Sequence, residues 1–495
     1  MTPHFFNRLA ITLVTWALFS IPTKAADLPP EIAREFRGVW VASVFNLNWP
    51  SKAGLSADQQ KAELRAILDR AVDLKLNAIL LQIRPSSDAL YASKIEPWSA
   101  FLTGKMGQPP SPAYDPLEWA ITEAHARGLE LHAWFNPFRA LTSLNASASE
   151  NHVTHRHAEW IRPYGNLLLV DPGEPAAREY IRNVILDVVR RYDVDGIHID
   201  DYFYPYPSKD KSGTVIPFPD DGSWQRYQAG GGKLSRGDWR RDNINQFVES
   251  TYRAIKAEKS WVKFGISPFG IWRPHVPETI EAKLDAYDQL HADSRRWLQE
   301  GWCDYLSPQL YWPIAPAAQS FPVLFEWWRG QSRAGRHVWP GIATERIGAQ
   351  RPAEEIIREL EITRGLPNGN ARNSTAGQVF WDAKSLMKDA GGIDGRLKEG
   401  PYVEPALVPA CPWLGAQLPA MPRAAREESR VTWKSTGDDP ARWWAVQEKT
   451  GEVWRYRLLP AATESIPLAN GVAAVAIRAV DRFGNAGPPV VVQIK

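Results

Sequence analysis

One pattern repeats between residues 36 and 382 and constrains the fold more than any other feature: a short apolar strand, a polar or aromatic loop, then an amphipathic helix. The strands are too apolar for a sheet with one face in water, which favours parallel strands buried on both faces. The predicted strands are residues 37–43, 77–83, 129–135, 195–200, 263–267, 304–312, 338–343 and 377–382. Eight such units in roughly 350 residues have the count and size of a (β/α)8 barrel with insertions.

The rival architecture is an open doubly wound sheet, which binds nucleotides at a glycine-rich turn after its first strand. The corresponding turn here, residues 43–51, reads SVFNLNWPS and contains no glycine. We therefore predict the closed TIM barrel, spanning residues 31–400. Asp115 followed by Pro116 illustrates the helix signals between the strands, because a capping residue precedes a proline at the first helical position.

The chain changes character after the barrel. Residues 401–425 are rich in proline and have little periodicity, which predicts a linker. Residues 426–495 alternate short strands with turn signals, as is typical of a small β-sandwich. The segment VAAVAIRAVDRFGNAG resembles the last hairpin of fibronectin type III modules. The predicted fold class is thus α/β, a barrel followed by a fibronectin type III-like domain that spaces, docks or binds glycan.

Residues 1–25 have the features of a secretory signal peptide. Arg8 precedes an apolar run over residues 10–21, and small residues surround the expected cleavage point after Ala25. The run is too short to span a bilayer, and no cysteine near it could carry a lipid anchor. We expect an exported, periplasmic protein without a membrane span.

Composition narrows the class of ligand. The 495 residues include 58 Lys and Arg against 56 Asp and Glu, so the chain has no strong field to attract nucleic acid or an anionic membrane. Tryptophan is normally the rarest residue, yet there are 23 here, and their broad faces suit stacking on a flat ligand such as a sugar ring. Cys303 and Cys411 are the only cysteines, and the sequence leaves open whether they pair.

Polar and aromatic side chains collect at the carboxyl ends of the predicted strands, where barrels of this type place their working residues. The set holds carboxylates, amides and aromatic rings, without cysteine or a phosphate-binding loop. It fits general acid–base chemistry on a polyhydroxylated ligand.

The sharpest segment is DGIHIDDYFYPYP, residues 195–207. Alternation along the strand puts His198, Asp200 and Tyr202 on one face, and Asp201 begins the following loop. Two adjacent carboxylates repel each other, which raises the pKa of one and keeps a proton donor available at neutral pH. The alternative is structural: one aspartate pairs with a nearby arginine and the other caps the next loop.

Several segments together resemble the glycosyl-hydrolase-like family ten. They are RGVWVAS, QIRPSSDALY, YDPLEWAITEAHARGLELHAWFNPFR, LLLVDPGEPAAREYI, VDGIHIDDYFYP, ISPFGIWR and SPQLYW, in the family's order across nearly the whole barrel. The resemblance implies a hydrolase of the bacterial envelope that cuts peptide-stripped glycan strands of peptidoglycan, with cell-division proteins as partners. Family members are often lipoproteins, and this chain lacks the cysteine that such an anchor requires.

A second resemblance, to chitinase-type barrels, fails at the proton donor. Those barrels end strand four with Asp-Gly-x-Asp-x-Asp-x-Glu, and Tyr202 stands where the glutamate is required. A hydrolytic mechanism then needs its acid elsewhere, and the candidates are Asp201, Glu345 and Asp382. We predict a two-carboxylate mechanism, with Asp200 as nucleophile or base and Asp201 or Glu345 as the acid.

The predicted catalytic residues are therefore Asp200, Asp201 and Glu345. The predicted substrate-binding residues are Arg84, His132, Asn136, His198, Tyr202, Gln309, Tyr311, Trp312, Trp381 and Asp382, of which Trp312 and Trp381 form the stacking floor. The aromatic stretch 202–239 is expected to form a wall of the cleft.

We expect no cofactor and no metal, because the histidines in residues 152–157 have no strand or helix to space them as ligands. Two alternatives stay open. One is a carbohydrate-binding barrel at the cell wall without turnover. The other is a metal-dependent glycan deacetylase using Asp200, Asp201 and a histidine.

Overall fold

A computed structural model describes residues 28–315, 317–348, 350–365, 376–437 and 441–494. The predicted signal peptide, residues 1–25, lies outside these ranges. Within them, no helix combines the length and the apolarity needed to cross a bilayer.

Nine parallel strand segments form the main sheet. They are β1 (Phe36–Val41), β2 (Ala78–Arg84), β3 (Glu130–Phe135), β4 (Gly196–Ile199), β5 (Lys263–Ile266), β6 (Tyr305–Leu306), β7 (His337–Val338), β8 (Gly341–Ala343) and β9 (Gly377–Trp381). Their order is β7-β6-β5-β4-β3-β2-β1-β9-β8. Since β7 and β8 follow each other directly in the chain, the sheet closes on itself, and the predicted (β/α)8 barrel is confirmed.

The seventh barrel strand is divided, although the sequence predicted one run over residues 338–343. Pro340 has no N–H to give to a strand ladder, and it separates the two pieces. β7 pairs with β6, whereas β8 pairs with β9. The Gly341 N–H donates to the carbonyl of Pro308 at 2.9 Å, which joins the two pairings.

Helices cover the outside of the barrel. They are Ala57–Asp73, Ala100–Thr103, Pro116–Ala126, Val153–Arg156, Pro175–Arg191, Asp221–Ala229, Arg236–Glu258, Ala286–Gln289, Ser294–Gln299, Phe321–Gln331, Ala353–Thr363, Ala383–Met387 and Ile393–Glu399. Their starts follow local sequence: Ser56 and Gln59 form a capping box, and Asp115 caps the helix beginning at Pro116. A three-stranded antiparallel sheet (Arg139–Leu141, Ile161–Tyr164, Leu167–Val170) is inserted after β3 and was not predicted.

Two glycines make room for large side chains inside the barrel. A Cβ on Gly196 would lie 2.5 Å from Nδ1 of His132, and one on Gly265 would lie 1.9 Å from Cζ of Tyr305. Both contacts are far inside van der Waals distance, so any larger residue would displace these rings.

The C-terminal domain consists of two antiparallel sheets. Its strands are β10 (Arg423–Glu427), β11 (Arg430–Lys434), β12 (Trp443–Thr450), β13 (Val453–Pro460), β14 (Ser465–Pro467), β15 (Val472–Val480) and β16 (Val490–Gln493). One sheet has the order β10-β11-β14 and the other β13-β12-β15-β16. A small β-domain after the barrel is thus confirmed, although β10 begins inside the predicted linker. Its likeness to fibronectin type III stays a prediction.

The C-terminal domain and the segment before it close the amino-terminal end of the barrel. Trp413 Nε1 donates to Asp304 Oδ1 at 2.8 Å, and Arg442 forms ion pairs with Asp193 and Asp195 at 3.1 and 2.9 Å. The carboxyl ends of the strands lie at the opposite end of the barrel. Cys303 and Cys411 are buried thiols and do not form a disulfide in this structure.

Candidate active site

Asp200 lies just beyond the end of β4 and is 4% exposed. Its Oδ2 accepts hydrogen bonds from Asn136 Nδ2 at 3.0 Å and from Trp134 Nε1 at 3.1 Å. The amide of Asn136 cannot turn over, because its Oδ1 accepts the backbone N–H of Arg139 at 3.0 Å. The neighbouring strand β3 therefore fixes the position of this carboxyl group.

Burial raises the pKa of Asp200 to about 7. The positive charge of Arg139 opposes this shift, whereas the negative charge of Asp201 adds to it. The carboxyl group of Asp200 therefore exists in both protonation states near neutral pH, as a general acid or base must.

Asp201 also lies in the site, at the start of the loop after β4. Its Oδ2 accepts a hydrogen bond from the hydroxyl of Tyr206, and the Gln309 side chain forms a second one. Burial raises the pKa of Asp201, and these two hydrogen bonds lower it in part. The phenol of Tyr206 was not among the predicted residues, and its only sequence signal is its place in the aromatic loop after strand four.

Two further carboxylates lie at the ends of the seventh and eighth barrel strands. Asp382 caps the helix Ala383–Met387 and accepts from Asn48 Nδ2 at 2.8 Å. Burial raises the pKa of Glu345, and the charge of Asp382 raises it further. The Glu345 carboxylate lies 3.3 Å from Arg346 Nε at the solvent-exposed rim.

Three of the carboxylates act electrostatically on the hydroxyl of Tyr311. Burial raises the pKa of its hydroxyl well above its usual value, and the charges of Asp201, Glu345 and Asp382 act on it in the same direction. Because electrostatic interactions weaken with distance, these three carboxylates lie in the region around the Tyr311 hydroxyl. The structure thus brings the carboxylates of strands four, seven and eight to the same end of the barrel.

Aromatic rings lie beside the carboxylates at this end of the barrel. Half-buried Trp381 lies with its ring centroid 6.1 Å from those of both Trp40 and Trp134. On another side the rings form a continuous row, with centroids 5.6 Å apart for Tyr202 and Tyr206, 6.4 Å for Tyr206 and Phe269, and 5.6 Å for Phe269 and Trp312. The start of the stretch 202–239 therefore contributes to one wall of the cleft. Residues from Arg236 onward belong instead to the helix Arg236–Glu258.

Arg84 does not reach the cleft, contrary to its predicted role as a substrate contact. Its side chain is fully buried and pairs with Glu96 at 2.5 and 2.7 Å. Its remaining donors bind the carbonyls of Asn136 and Pro137 at 2.7 and 3.0 Å and the hydroxyl of Ser87 at 3.1 Å. Arg84 therefore positions the backbone of Asn136 and has no donor free for a sugar.

His132 and His198 are also buried, contrary to their predicted role as substrate contacts. Trp40 Nε1 donates to His198 Nε2 at 3.1 Å, so Nδ1 of His198 carries the proton and donates to Tyr305 at 3.0 Å. The Tyr305 hydroxyl donates to His132 Nδ1 at 2.8 Å, and His132 Nε2 donates to Glu130 at 3.0 Å. These residues form a hydrogen-bonded chain along the barrel interior, below the carboxylates.

Asn48 holds Asp382 in position and was not among the residues predicted from the sequence. Asn48, in the turn after β1, accepts the Ala42 N–H at 2.7 Å and donates to Asp382. This residue therefore links the first barrel strand to the last. Its signal in the sequence was an asparagine in the SVFNLNWPS turn.

Across the parts of the chain that the structure describes, no group of three or more His, Cys, Asp or Glu side chains is arranged to hold a metal ion. The expectation that no helix spaces the histidines of residues 152–157 is wrong, because the short helix Val153–Arg156 includes His155. His152 and His157 nevertheless have other contacts. His152 is buried and hydrogen-bonds Thr154 and the Ser86 carbonyl, while the His157 ring stacks on Trp160 with centroids 3.8 Å apart.

Comparisons with known proteins identify the family of this chain. The family model described as glycosyl hydrolase-like 10 matches residues 35–355. Glycosyl hydrolase YngK of Bacillus subtilis strain 168 is 41% identical over 407 residues, which cover 79% of this chain and 77% of the relative. Glycosyl hydrolase DigH of Escherichia coli K12 is 33% identical over 400 residues, 72% of this chain and 89% of the relative.

Among solved structures, the glycoside hydrolase domain of PgaB (BpsB) from Bordetella bronchiseptica aligns with a TM-score of 0.49 and 13% identity, covering 74% of this chain and 98% of that one. The relatives named as glycosyl hydrolases confirm the prediction of a glycosidase. The chain belongs to the glycosyl hydrolase-like 10 family.

Proposed function

We propose that this glycoside hydrolase cleaves the glycan strands of bacterial peptidoglycan, and that it prefers strands without stem peptides. The observation that carries the catalytic part is the Asp200 carboxyl group, with a pKa of about 7 beside Asp201. The substrate follows from the family resemblance of the barrel segments and from the row of aromatic rings beside the carboxylates, which suits a chain of sugars.

In this proposal Asp200 is the proton donor, which reverses the role expected from the sequence. Its raised pKa keeps the protonated form available at neutral pH. Trp134 and Asn136 both donate to Oδ2, whereas, within the described residues, Oδ1 accepts only the longer hydrogen bond from the Tyr202 N–H, at 3.4 Å. Oδ1 is therefore the oxygen that carries the proton to the glycosidic oxygen. The leaving sugar then departs as an alcohol while positive charge develops on the ring of the other sugar.

Asp201 supplies the second carboxylate. The hydroxyl of Tyr206 and the amide of Gln309 favour its ionised form. An ionised Asp201 either attacks the anomeric carbon or takes the proton from an attacking water. Glu345, at the rim, is the remaining candidate for this role.

The aromatic rings hold the sugar chain in place. Trp381 is half-buried with one part of its ring open, so it serves as the floor for one sugar. Half-buried Trp312 extends the wall. Tyr311 and Gln309 lie beside Asp201 and orient sugar hydroxyls.

Location and partners follow from the sequence. The proposed signal peptide directs the chain to the periplasm, where peptidoglycan lies, and cell-division proteins are its proposed partners. Fractionation of cells that express the full chain, with sequencing of the mature amino terminus, tests the first point. A mature protein that starts after Ala25 in the periplasmic fraction supports it, and an uncleaved cytoplasmic chain contradicts it.

The activity is tested by digestion of purified peptidoglycan glycan, with and without stem peptides, and by mass spectrometry of the products. Asp200→Asn and Asp201→Asn are expected to lower turnover by about 10²–10⁴-fold, the usual contribution of acid–base catalysis. The exposed residue Glu427, at the end of β10 in the C-terminal domain, provides the control, since Glu427→Gln removes a carboxylate outside the barrel. New saccharide ends that disappear only in the two cleft variants establish the reaction and the bond that is cut.

Other outcomes identify the alternatives. Tight glycan binding without new saccharide ends, unchanged by Asp200→Asn, would show a binding barrel. Release of acetate that stops when a chelator is added would show a metal-dependent deacetylase. Intact strands in every digest would overturn the proposed reaction.

A further inference from the structure

An apolar patch stands at the open end of the barrel, outside the cleft described above. Phe45 is 61% exposed and Leu47 is 40% exposed, both in the turn that follows β1. Half-buried Phe101, from the segment after β2, lies beside them with its ring centroid 5.9 Å from that of Phe45. Single exposed apolar side chains are common on proteins, whereas a group of large ones marks a binding surface.

The backbone holds Phe45 in an unfavourable conformation. Phe45 has φ 55° and ψ 17°, and Asn46 has φ 53°, so two consecutive non-glycine residues are left-handed. A left-handed conformation is unfavourable for a residue with a bulky side chain. Such conformations persist where the surroundings enforce them, and they concentrate at functional sites.

Several hydrogen bonds enforce this turn. Asn46 Nδ2 donates to the carbonyls of Pro50 and Phe101 at 2.9 and 2.7 Å. The buried side chain of Gln82 accepts the backbone N–H groups of Ser43 and Val44 at 3.0 and 2.9 Å. The exposed position of the Phe45 ring is therefore built into the fold and is not the result of a loose loop.

The turn is continuous with the carboxylate cleft. Asn48, three residues after Phe45, donates to Asp382 Oδ2 at 2.8 Å. The aromatic patch and Asp382 are thus joined through one short segment at the rim between the first and last barrel strands.

We propose that Phe45, with Leu47 and Phe101, forms an outer sugar-binding subsite that takes a residue of the glycan chain beyond those held in the cleft. This inference rests on the proposed function, because it assumes a glycan substrate. The apolar face of a pyranose ring stacks on the exposed phenyl ring, which removes both from water. The subsite makes the enzyme select long strands over short ones.

The test compares wild type with Phe45→Ala, Phe45→Gly and Phe45→Trp on peptide-free glycan strands fractionated into short and long pools. KM for long strands is expected to rise several-fold in the Ala and Gly variants, so that the preference for long strands is lost. Phe45→Trp, which keeps an aromatic face, is expected to retain it. Val453→Ala, which removes another exposed apolar side chain (58% exposed) in the C-terminal domain, is the matched control.

Thermal unfolding separates binding from structure. Phe45→Gly removes the left-handed strain and is expected to raise Tm while it weakens long-strand binding. A purely structural role would lower Tm and affect both pools equally. If the wild type cleaves glycan and Phe45→Ala keeps the same preference for long strands, the subsite is overturned and the proposed function stands.

Binding measured in the Asp200→Asn background covers the remaining cases. If the wild type cleaves no glycan, but Phe45→Ala still weakens long-strand binding, the subsite stands and hydrolysis is overturned. No binding and no cleavage of any glycan would overturn both.

Discussion

Asn136 donates to Asp200 across the gap between two adjacent barrel strands, with 3.0 Å between Nδ2 and Oδ2. The donor has no freedom to turn, because the Arg139 N–H occupies its oxygen and Arg84 holds its backbone carbonyl. The buried arginine therefore acts on the carboxyl group through the asparagine. This relationship makes the protonation of Asp200 sensitive to residues that never touch the substrate.

Removing this donor is expected to change the pH profile. In Asn136→Ala the ionised form of Asp200 loses a hydrogen bond, so its pKa rises above its value of about 7. A hydrogen bond to a charged group contributes about 1.5–3 kcal/mol, which corresponds to a shift of about one to two pKa units. For a proton donor, the basic limb of the kcat/KM profile then moves to higher pH. Trp134→Phe is expected to shift it in the same direction, and a shift to lower pH in either variant would contradict the assignment.

Asp200→Asn is expected to stabilise the fold while it removes activity. Burial raises the folded-state pKa of Asp200 to about 7, far above the value near 3.9 of an unfolded chain. The folded state therefore holds a proton that the unfolded state releases, and wild type loses stability as pH rises from about 4 to 7. Three pKa units correspond to at most about 4 kcal/mol at pH 8.

Urea unfolding at pH 5 and pH 8 measures this effect. The gain of Asp200→Asn over wild type is expected to be larger at pH 8 than at pH 5. Glu427→Gln, at an exposed position of β10, is expected to show no such pH dependence. An equal gain at both pH values would show that the carboxyl group is not buried as the structure describes.

The alternation of strands and helices was enough to predict the barrel, and the strand pattern before Asp200 was enough to place Asp200 and Asp201 at the carboxyl end of β4. Both depend on short-range pattern. The buried histidine chain could not be predicted in this way, because His132 and Tyr305 meet from positions 173 residues apart. A histidine at a strand end looks the same in the sequence whether it faces the cleft or another ring.

Arg84 shows a related limit. Its partner Glu96 lies only 12 residues away, but nothing in the sequence between them fixes that pairing. Some signals were present in the sequence and were not used. Pro340 inside a predicted strand indicated a break, and Gly196 and Gly265 indicated close packing inside the barrel.

Tyr305→Phe is expected to destabilise the barrel. The change leaves the Nδ1–H of His198 without an acceptor and the Nδ1 of His132 without a donor. Each unpaired buried group costs about 1–3 kcal/mol, so the two together lower the free energy of unfolding, measured in urea, by about 2–6 kcal/mol. Tyr287→Phe, half-buried on the helix Ala286–Gln289, provides the comparison and is expected to change little. A loss no greater than that of Tyr287→Phe would contradict the hydrogen-bonded chain.

The ion pair between Arg442 and Asp195 is expected to hold the two domains together at neutral pH. Burial would raise the pKa of Asp195, but the charges of Arg442 and His125 hold it well below its usual value. A carboxylate with a depressed folded-state pKa contributes stability above about pH 4, and this contribution is lost as pH falls further. Arg442→Met leaves the carboxylate buried without its cation, which costs about 3–5 kcal/mol for pairs of this kind.

Thermal unfolding between pH 3 and pH 7 tests this prediction. Arg442→Met is expected to lower Tm at pH 7 and to show a weaker loss of Tm on acidification than wild type. The exposed pair of Arg457 and Glu448 provides a matched control, because Arg457→Met removes a pair that contributes about 0–1 kcal/mol. A separate early transition in Arg442→Met would report the C-terminal domain detaching before the barrel unfolds. Equal Tm values for Arg442→Met and Arg457→Met at pH 7 would show that the buried pair does not hold the domains together.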